Sequence, residues 1–183
     1  MASPAFGDGV EWLVLAYHLS PEQTSVRVAV RRKLSAAGVV YLSRACAAAP
    51  LSGPAERAMR RSRATITSAG GFAVLLAGRA LVGESNLIAA FNAVRDSEYE
   101  EIIVGCRDAV TRIEALTAVG EFRYQGLWEK DIGLRRLTAR YKDVRGQDSH
   151  GARQGQAAAA ALTAYRSALD EYASRVYAAD SRS

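Results

Sequence analysis

Two stretches of the sequence concentrate side chains that could bind an anion. They are SVRVAVRRKLSAAG at residues 25–38 and PAERAMRRSRATITSA at residues 54–69. Together they hold eight cations, which we call the basic set: Arg27, Arg31, Arg32, Lys33, Arg57, Arg60, Arg61 and Arg63. So many cations on one surface would contact several phosphates of a nucleic acid and make the affinity depend steeply on salt. The competing interpretation is that surface helices are often rich in arginine and that these side chains are simply solvated.

The charge of the chain is unevenly distributed in a way that favours an anionic partner for the first half. The whole chain carries a formal charge of +5. Residues 1–83 hold 10 basic and 4 acidic side chains, a net charge of +6, whereas residues 84–183 hold 14 and 15, a net charge of −1. The partner could be DNA or an acidic protein. Because we find no helix-turn-helix, zinc-finger or aromatic nucleic-acid motif, we expect any DNA contact to be with the phosphate backbone.

A second cluster lies in the sequence RDSEYEE at residues 95–101. On a helix, Arg95, Glu98 and Tyr99 fall within one turn of each other. They could line a polar pocket for a small anionic ligand, with Arg95 binding the anion or Glu98 accepting a proton. Alternatively, Arg95 and Glu98 form an i, i+3 ion pair that fixes helix register and needs no ligand.

Other residues with catalytic or metal-binding potential have no suitable neighbours in the sequence. His18 and His150 lack a Cys, Asp or Glu at metal-ligand spacing, so we expect no metal and no cofactor. Cys46 and Cys106 lie in apolar surroundings, where a thiol is a poor nucleophile. The sequence also lacks GxSxG, P-loop and GxGxxG motifs, and we therefore expect no catalytic residues.

The start of the chain predicts a cytoplasmic protein. The sequence MASPAFGDGVEW lacks the basic segment of a signal peptide. The apolar run WLVLAY at residues 12–17 is far shorter than the roughly 20 residues of a membrane span.

The pattern of residues 1–83 predicts an α+β fold, whose helices would carry the basic set. Apolar runs predict strands at residues 12–19, 39–49 and 72–81, while helical spacing predicts helices at 22–37 and 54–69. This β-α-β-α-β order favours a small ferredoxin-like sheet with helices on one face. A missed hairpin inside residues 39–49 would complete that fold.

Residues 84–183 are predicted to form a second, helical domain. Amphipathic patterns cover residues 85–118, 127–144 and 156–179, and the polar stretch 145–155 reads as a loop or a disordered connection. Three such helices with short connections favour a three-helix bundle. Its helices could provide the contacts of a homodimer.

Four segments resemble a known family in the same order along the chain. They are WLVLAY from residue 12, SVRVAVRRKLSAAGVVYL from residue 25, FNAVRDSEYEE from residue 91 and YASRVYAAD from residue 172. The resemblance is to the N-terminal region of the chromate-resistance regulatory protein ChrB. It implies a cytoplasmic protein linked to chromate-responsive transcription, and it assigns no chromate-sensing residue.

Two functional hypotheses therefore follow from the sequence. The first is a non-catalytic regulatory protein of the ChrB type, whose basic N-terminal surface meets DNA or an acidic partner. The second is a small stand-alone enzyme that uses Arg95, Glu98 and Tyr99 in a pocket between sheet and bundle for acid–base chemistry on a small molecule.

Overall fold

The computed structural model describes residues 10–181, so most of the N-terminal stretch interpreted above as lacking a signal peptide lies outside the described residues. The fold is α+β, and its described elements are β1 Trp12–His18, α1 Thr24–Ala36, β2 Val40–Ser43, β3 Cys46–Pro50, α2 Gly53–Ser68, β4 Phe72–Gly78, α3 Glu84–Ala118, α4 Tyr124–Gln147 and α5 Gly155–Asp180. The chain divides into two compact units, with the boundary between Phe91 and Asn92 inside α3.

The four strands of the first unit form one antiparallel sheet in the order β2-β3-β1-β4. Strand β1 is central: Leu15 pairs with Ala47 of β3 on one side and with Leu75 of β4 on the other. β2 and β4 are therefore the edge strands.

The prediction of a single strand over residues 39–49 is wrong, since this segment is the hairpin β2–β3. The chain turns between Ser43 and Cys46, and the Ser43 Oγ accepts a hydrogen bond from the Ala45 N–H at 3.3 Å. The sequence at the turn is Ser-Arg-Ala-Cys, which contains none of the Gly, Pro, Asn or Asp residues that usually mark a hairpin. The element order is thus β-α-β-β-α-β, with four strands instead of the three predicted in β-α-β-α-β.

Alternation along β1 places one set of side chains under the two helices. Leu13, Leu15 and Tyr17 point to the same face because successive strand residues alternate in direction. They share a buried cluster with residues of α1 and α2, including Leu34 and Met59. Helices α1 and α2 therefore cover the same face of the sheet, as their order in the sequence predicted.

The opposite face of this sheet is also covered in part, which the prediction of helices on one face did not include. Trp12, Val40 and Ala48 form a separate buried cluster with Phe91 from the first turns of α3. The ring centroids of Trp12 and Phe91 lie 6.3 Å apart in an edge-to-face arrangement, a favourable geometry for aromatic pairs. Two apolar side chains of β4 on this face, Phe72 and Leu76, remain exposed.

The second unit consists of helical segments that share one core. Buried side chains from α3, α4 and α5 meet in a single cluster that includes Ile102, Leu134 and Leu169. Helix α4 extends three residues beyond both predicted ends, so the connection to α5 is only residues 148–154. None of the described helices has both the length and the apolar content that a membrane crossing requires.

Candidate functional site

The eight cations of the basic set lie on adjacent helices, but their contacts divide them into three groups. Helices α1 and α2 share the core on one face of the sheet, so their outer surfaces are neighbours. The first group comprises Arg27 and Arg31, and the second comprises Arg60 and Arg63. The third group, which we call the outer cations, comprises Arg32, Lys33, Arg57 and Arg61.

The first group is held in place by contacts with the sheet and its loop. The Arg27 Nη2 donates to the carbonyl oxygens of Leu19 and Ser20, at 3.0 Å each. The Arg31 guanidinium lies 4.5 Å from the ring centroid of Tyr41, a cation–π distance. Both guanidinium groups therefore have a defined position before any ligand binds.

The second group lies beside the edge strand β4. Arg60 forms an ion pair with Glu56 at 2.7 Å, and the Arg63 Nε donates to the Ala73 carbonyl at 3.3 Å. These two arginines and Glu56 line an open cleft of about 460 Å³ along β4. Because Glu56 neutralises part of the positive charge, this group is a weaker anion site than the number of its arginines suggests.

The outer cations are the members of the basic set that have no ion pair, cation–π contact or carbonyl acceptor among the described residues. All four side chains are exposed, and none forms an ion pair with another residue between 10 and 181. Exposed, unpaired cations on adjacent helices can contact phosphates without first breaking an internal ion pair.

A second cleft in the first unit adds a cation that sequence reasoning did not select. Its volume is about 610 Å³, and we call it the Tyr17 cleft. Its lining consists of Tyr17, His18, Leu19, Pro21, Arg27, Arg31, Arg44 and Ala45. Among the described residues, this lining contains three guanidinium groups and no carboxylate. Arg44 reaches it from the β2–β3 turn, and it was missed because the segment 39–49 was taken for one strand.

Two tyrosine hydroxyls are buried beside this cleft. Tyr17 lines the cleft and is 5% exposed, and neither its hydroxyl nor that of Tyr41 makes a hydrogen bond of normal geometry to the described part of the chain. Burial raises the pKa of Tyr41, the neighbouring Tyr17 hydroxyl raises it further, and Arg31 lowers it.

In the second unit, Arg95 and Glu98 belong to a polar network. Arg95 is only 1% exposed, and its Nε lies 3.0 Å from Glu98 Oε2. The Arg95 Nη1 donates to Gln147 at 2.6 Å, and Arg140 forms an ion pair with Glu98 at 2.9 Å. The predicted i, i+3 pair is thus present and connects α3 to α4. Burial lowers the pKa of Arg95 and the neighbouring Glu98 raises it.

Tyr99 extends the network to the loop before α5. Its hydroxyl donates to Asp148 at 3.2 Å, and the same carboxylate accepts from the Ala152 N–H at 3.0 Å. The Arg145 guanidinium lies 3.4 Å from Asp148. Burial raises the pKa of Tyr99 to about 12, and the charge and hydrogen bond of Asp148 also raise it.

This arrangement favours structure over catalysis at Arg95, Glu98 and Tyr99. Glu98 already forms ion pairs with two guanidinium groups, and the Tyr99 hydroxyl already donates a hydrogen bond to Asp148. Residues 10–181 contain no group of three or more His, Cys, Asp or Glu side chains placed to hold a metal ion. Both cysteines are free, and burial raises the pKa of each thiol.

Comparison with known proteins gives one family. A family model described as the N-terminal region of the protein ChrB matches residues 27–183, which is most of the chain. The match covers the whole basic set, Arg44 and the Arg95 network. Neither the curated proteins nor the solved structures give a match.

Proposed function

Because the chain belongs to the family of ChrB N-terminal regions, we propose that it is a non-catalytic, cytoplasmic regulator of chromate resistance that binds DNA through its outer cations. Arg32, Lys33, Arg57 and Arg61 would contact the phosphate backbone of DNA. The second unit would stabilise the protein and supply any contacts between copies of the chain.

The observation that carries this proposal is that the four outer cations have no ion pair, cation–π contact or carbonyl acceptor among residues 10–181. An exposed arginine can form an ion pair with a carboxylate one turn away on the same helix, as Arg60 does with Glu56. The outer cations have no such pair among the described residues, although like charges on adjacent helices repel each other. An anionic partner removes that repulsion.

The architecture supports the same interpretation. The element order β-α-β-β-α-β and the strand order β2-β3-β1-β4 support a ferredoxin-like fold for the first unit. The shared core of α3, α4 and α5 supports a three-helix bundle for the second. In this scheme DNA lies against exposed helix surfaces, and the protein makes no sequence-specific contact with the bases.

The proposal is tested by titrating DNA at several salt concentrations. The variant replaces the four outer cations with glutamine, and the matched control replaces Arg107, Arg135, Arg153 and Arg166 of the second unit with glutamine. Both variants lose four positive charges, and all eight positions are exposed. We expect the first variant to lower the slope of log affinity against log salt by about 3 to 4, since each phosphate contact contributes about 0.9. We expect little change in the control.

Two results would contradict the proposal. One is an equal loss of DNA affinity in the two variants, and the other is no DNA binding by the wild type at low salt. Equal weakening would show that net charge alone attracts DNA. If the wild type binds an acidic polypeptide but no DNA, the partner of the outer cations is a protein.

A further inference from the structure

We propose that the Tyr17 cleft is a separate binding site for a small molecule that carries a phosphate or a similar tetrahedral oxyanion. The site is distinct from the outer cations that are proposed to bind DNA. Its ligand group would be bound by the guanidinium groups of Arg27, Arg31 and Arg44 and by the hydroxyl of Tyr17.

The first argument is the charge of the lining. Three guanidinium groups and His18 line the cleft, and none of the lining residues between 10 and 181 is acidic. Arg27, Arg31 and Arg44 form no ion pair with another residue of the described chain. Guanidinium groups bind phosphate-like anions through parallel hydrogen bonds, so a tetrahedral oxyanion suits this cleft better than a cation or a neutral ligand.

The second argument is Tyr17, which belongs to the same lining and whose buried hydroxyl has no hydrogen bond of normal geometry to the described part of the chain. A buried hydroxyl without a partner is costly, and such groups are rare in folded proteins. The hydroxyls of Tyr17 and Tyr41 lie side by side, but neither satisfies the other with a normal hydrogen bond. An oxyanion in the cleft would accept the Tyr17 hydrogen bond and remove that cost.

The third argument is that the cleft is preorganised. The loop carbonyls of Leu19 and Ser20 fix Arg27, and the Tyr41 ring supports Arg31. The backbone hydrogen bond from the Tyr17 N–H to the Ala45 carbonyl, 2.9 Å long, connects β1 to the turn that carries Arg44. Donors that are already positioned lose little entropy when the ligand binds.

The size of the cleft helps to distinguish two possible ligands, a phosphate monoester and free inorganic phosphate. A volume of about 610 Å³ is within the range of small-molecule sites and exceeds the needs of one inorganic ion. Leu19, Pro21 and Ala45 supply apolar lining next to the cations. These features favour a phosphate monoester with an organic part over free inorganic phosphate.

The test measures binding of inorganic phosphate and of phenyl phosphate to the full chain, by calorimetry, in chloride buffer at constant ionic strength. We expect saturable binding by the wild type and an affinity about tenfold lower for Arg44→Gln, which corresponds to about 1.4 kcal/mol. The variant Arg44→Lys should retain part of the affinity because it keeps the charge. The matched control is Arg61→Gln, an exposed arginine outside the cleft that should bind both probes like the wild type.

Each outcome decides the proposal. Tighter binding of phenyl phosphate supports an organic ligand, and equal binding of the two probes supports the free anion. If neither probe saturates, or if Arg44→Gln and Arg61→Gln weaken binding equally, the cleft is not an oxyanion site. If Arg44→Gln weakens DNA binding and leaves both probes unaffected, the cleft holds DNA backbone and the proposal is overturned. Loss of DNA binding in the outer-cation variant, with both probes still bound, separates the two proposals.

Discussion

Arg95 of the second unit and the arginines that line the Tyr17 cleft of the first unit have opposite environments. In the second unit, Arg95 is almost fully buried, forms an ion pair with Glu98 and donates to Gln147. In the first unit, Arg31 and Arg44 line an open cleft to which the described part of the chain contributes no carboxylate. A buried charge must be paired because desolvation costs several kcal/mol, whereas an exposed charge is solvated by water and needs no partner within the protein. The contrast is therefore between Arg95, which connects helices of the second unit, and Arg31 and Arg44 of the first unit, which form no ion pair with the described residues.

The tyrosines repeat the contrast. Tyr165 and Tyr172 of the second unit donate to the carbonyl oxygens of Lys130 and Glu121, at 2.7 and 3.0 Å. The Tyr17 and Tyr41 hydroxyls of the first unit lack a normal partner among the described residues. If the interpretation is correct, polar substitutions in the second unit should cost stability, and those at the Tyr17 cleft should cost affinity.

The largest expected effect is that of Arg95→Ala. Removal of this side chain leaves a cavity, takes one of two guanidinium partners from Glu98 and deprives Gln147 of its donor. Breaking a buried pair typically costs about 3 to 5 kcal/mol, so we expect a loss of that size in the free energy of unfolding. Urea unfolding followed by circular dichroism measures it.

The matched control for Arg95→Ala is Arg135→Ala. Arg135 also forms an ion pair, with Asp131 at 2.7 Å, but its side chain is 78% exposed. An exposed pair contributes about 0 to 1 kcal/mol. A similar cost for the two variants would mean that Arg95 is not the structural centre of the second unit.

The second largest expected loss of stability is that of Asp148→Ala. The Asp148 side chain is inaccessible to solvent and accepts hydrogen bonds from the Tyr99 hydroxyl and the Ala152 N–H. Leaving these donors without a partner should cost about 1 to 3 kcal/mol of unfolding free energy. The control is Asp180→Ala, which breaks the exposed hydrogen bond from Tyr124 and should change stability little. Equal costs would contradict the role assigned to burial.

The same network predicts a dependence of stability on alkaline pH. The pKa of Tyr99 is about 12 in the folded state against 10.0 for a free tyrosine. The contribution of Tyr99 to the free energy of unfolding is therefore complete below pH 10. It is lost as the pH rises from there through about 12, because the unfolded state releases the proton first. Unfolding free energies measured above pH 9 should fall more steeply for the wild type than for Tyr99→Phe. Parallel curves would show that Tyr99 titrates normally.

The sequence predicted the network of the second unit better than the cleft of the first. Arg95 and Glu98 are three residues apart on one helix, so helical periodicity alone places them together. Gln147 and Asp148 could not be foreseen as partners, because contacts between helices depend on how those helices pack. The residues 145–155 read as an irregular stretch from their composition, yet three of them continue α4 and Asp148 fixes the remaining loop.

The Tyr17 cleft escaped prediction because its residues come from separate parts of the chain. Arg27 and Arg31 were selected by their spacing on α1, but Arg44 joins them only through the unmarked turn of the β2–β3 hairpin. Tyr17 resembled any core residue of β1, since a sequence shows whether a hydroxyl is present and not whether it has a partner. The division of the basic set into three groups also depends on tertiary contacts, such as that of Arg63 with the Ala73 carbonyl.

The smallest expected effect on stability, and the sharpest test of the contrast, is that of Tyr17→Phe. Because its hydroxyl has no partner of normal geometry among residues 10–181, its removal should leave the unfolding free energy unchanged or slightly higher in a buffer without oxyanions. Tyr165→Phe, the control, removes a satisfied hydroxyl of equal burial and should cost about 1 kcal/mol. A Trp128→Phe background leaves Trp12 as the one tryptophan, so its fluorescence reports on the first unit. Equal losses of unfolding free energy in the two variants would mean that the Tyr17 hydroxyl already has a hydrogen-bond partner within the fold and does not need one from a ligand.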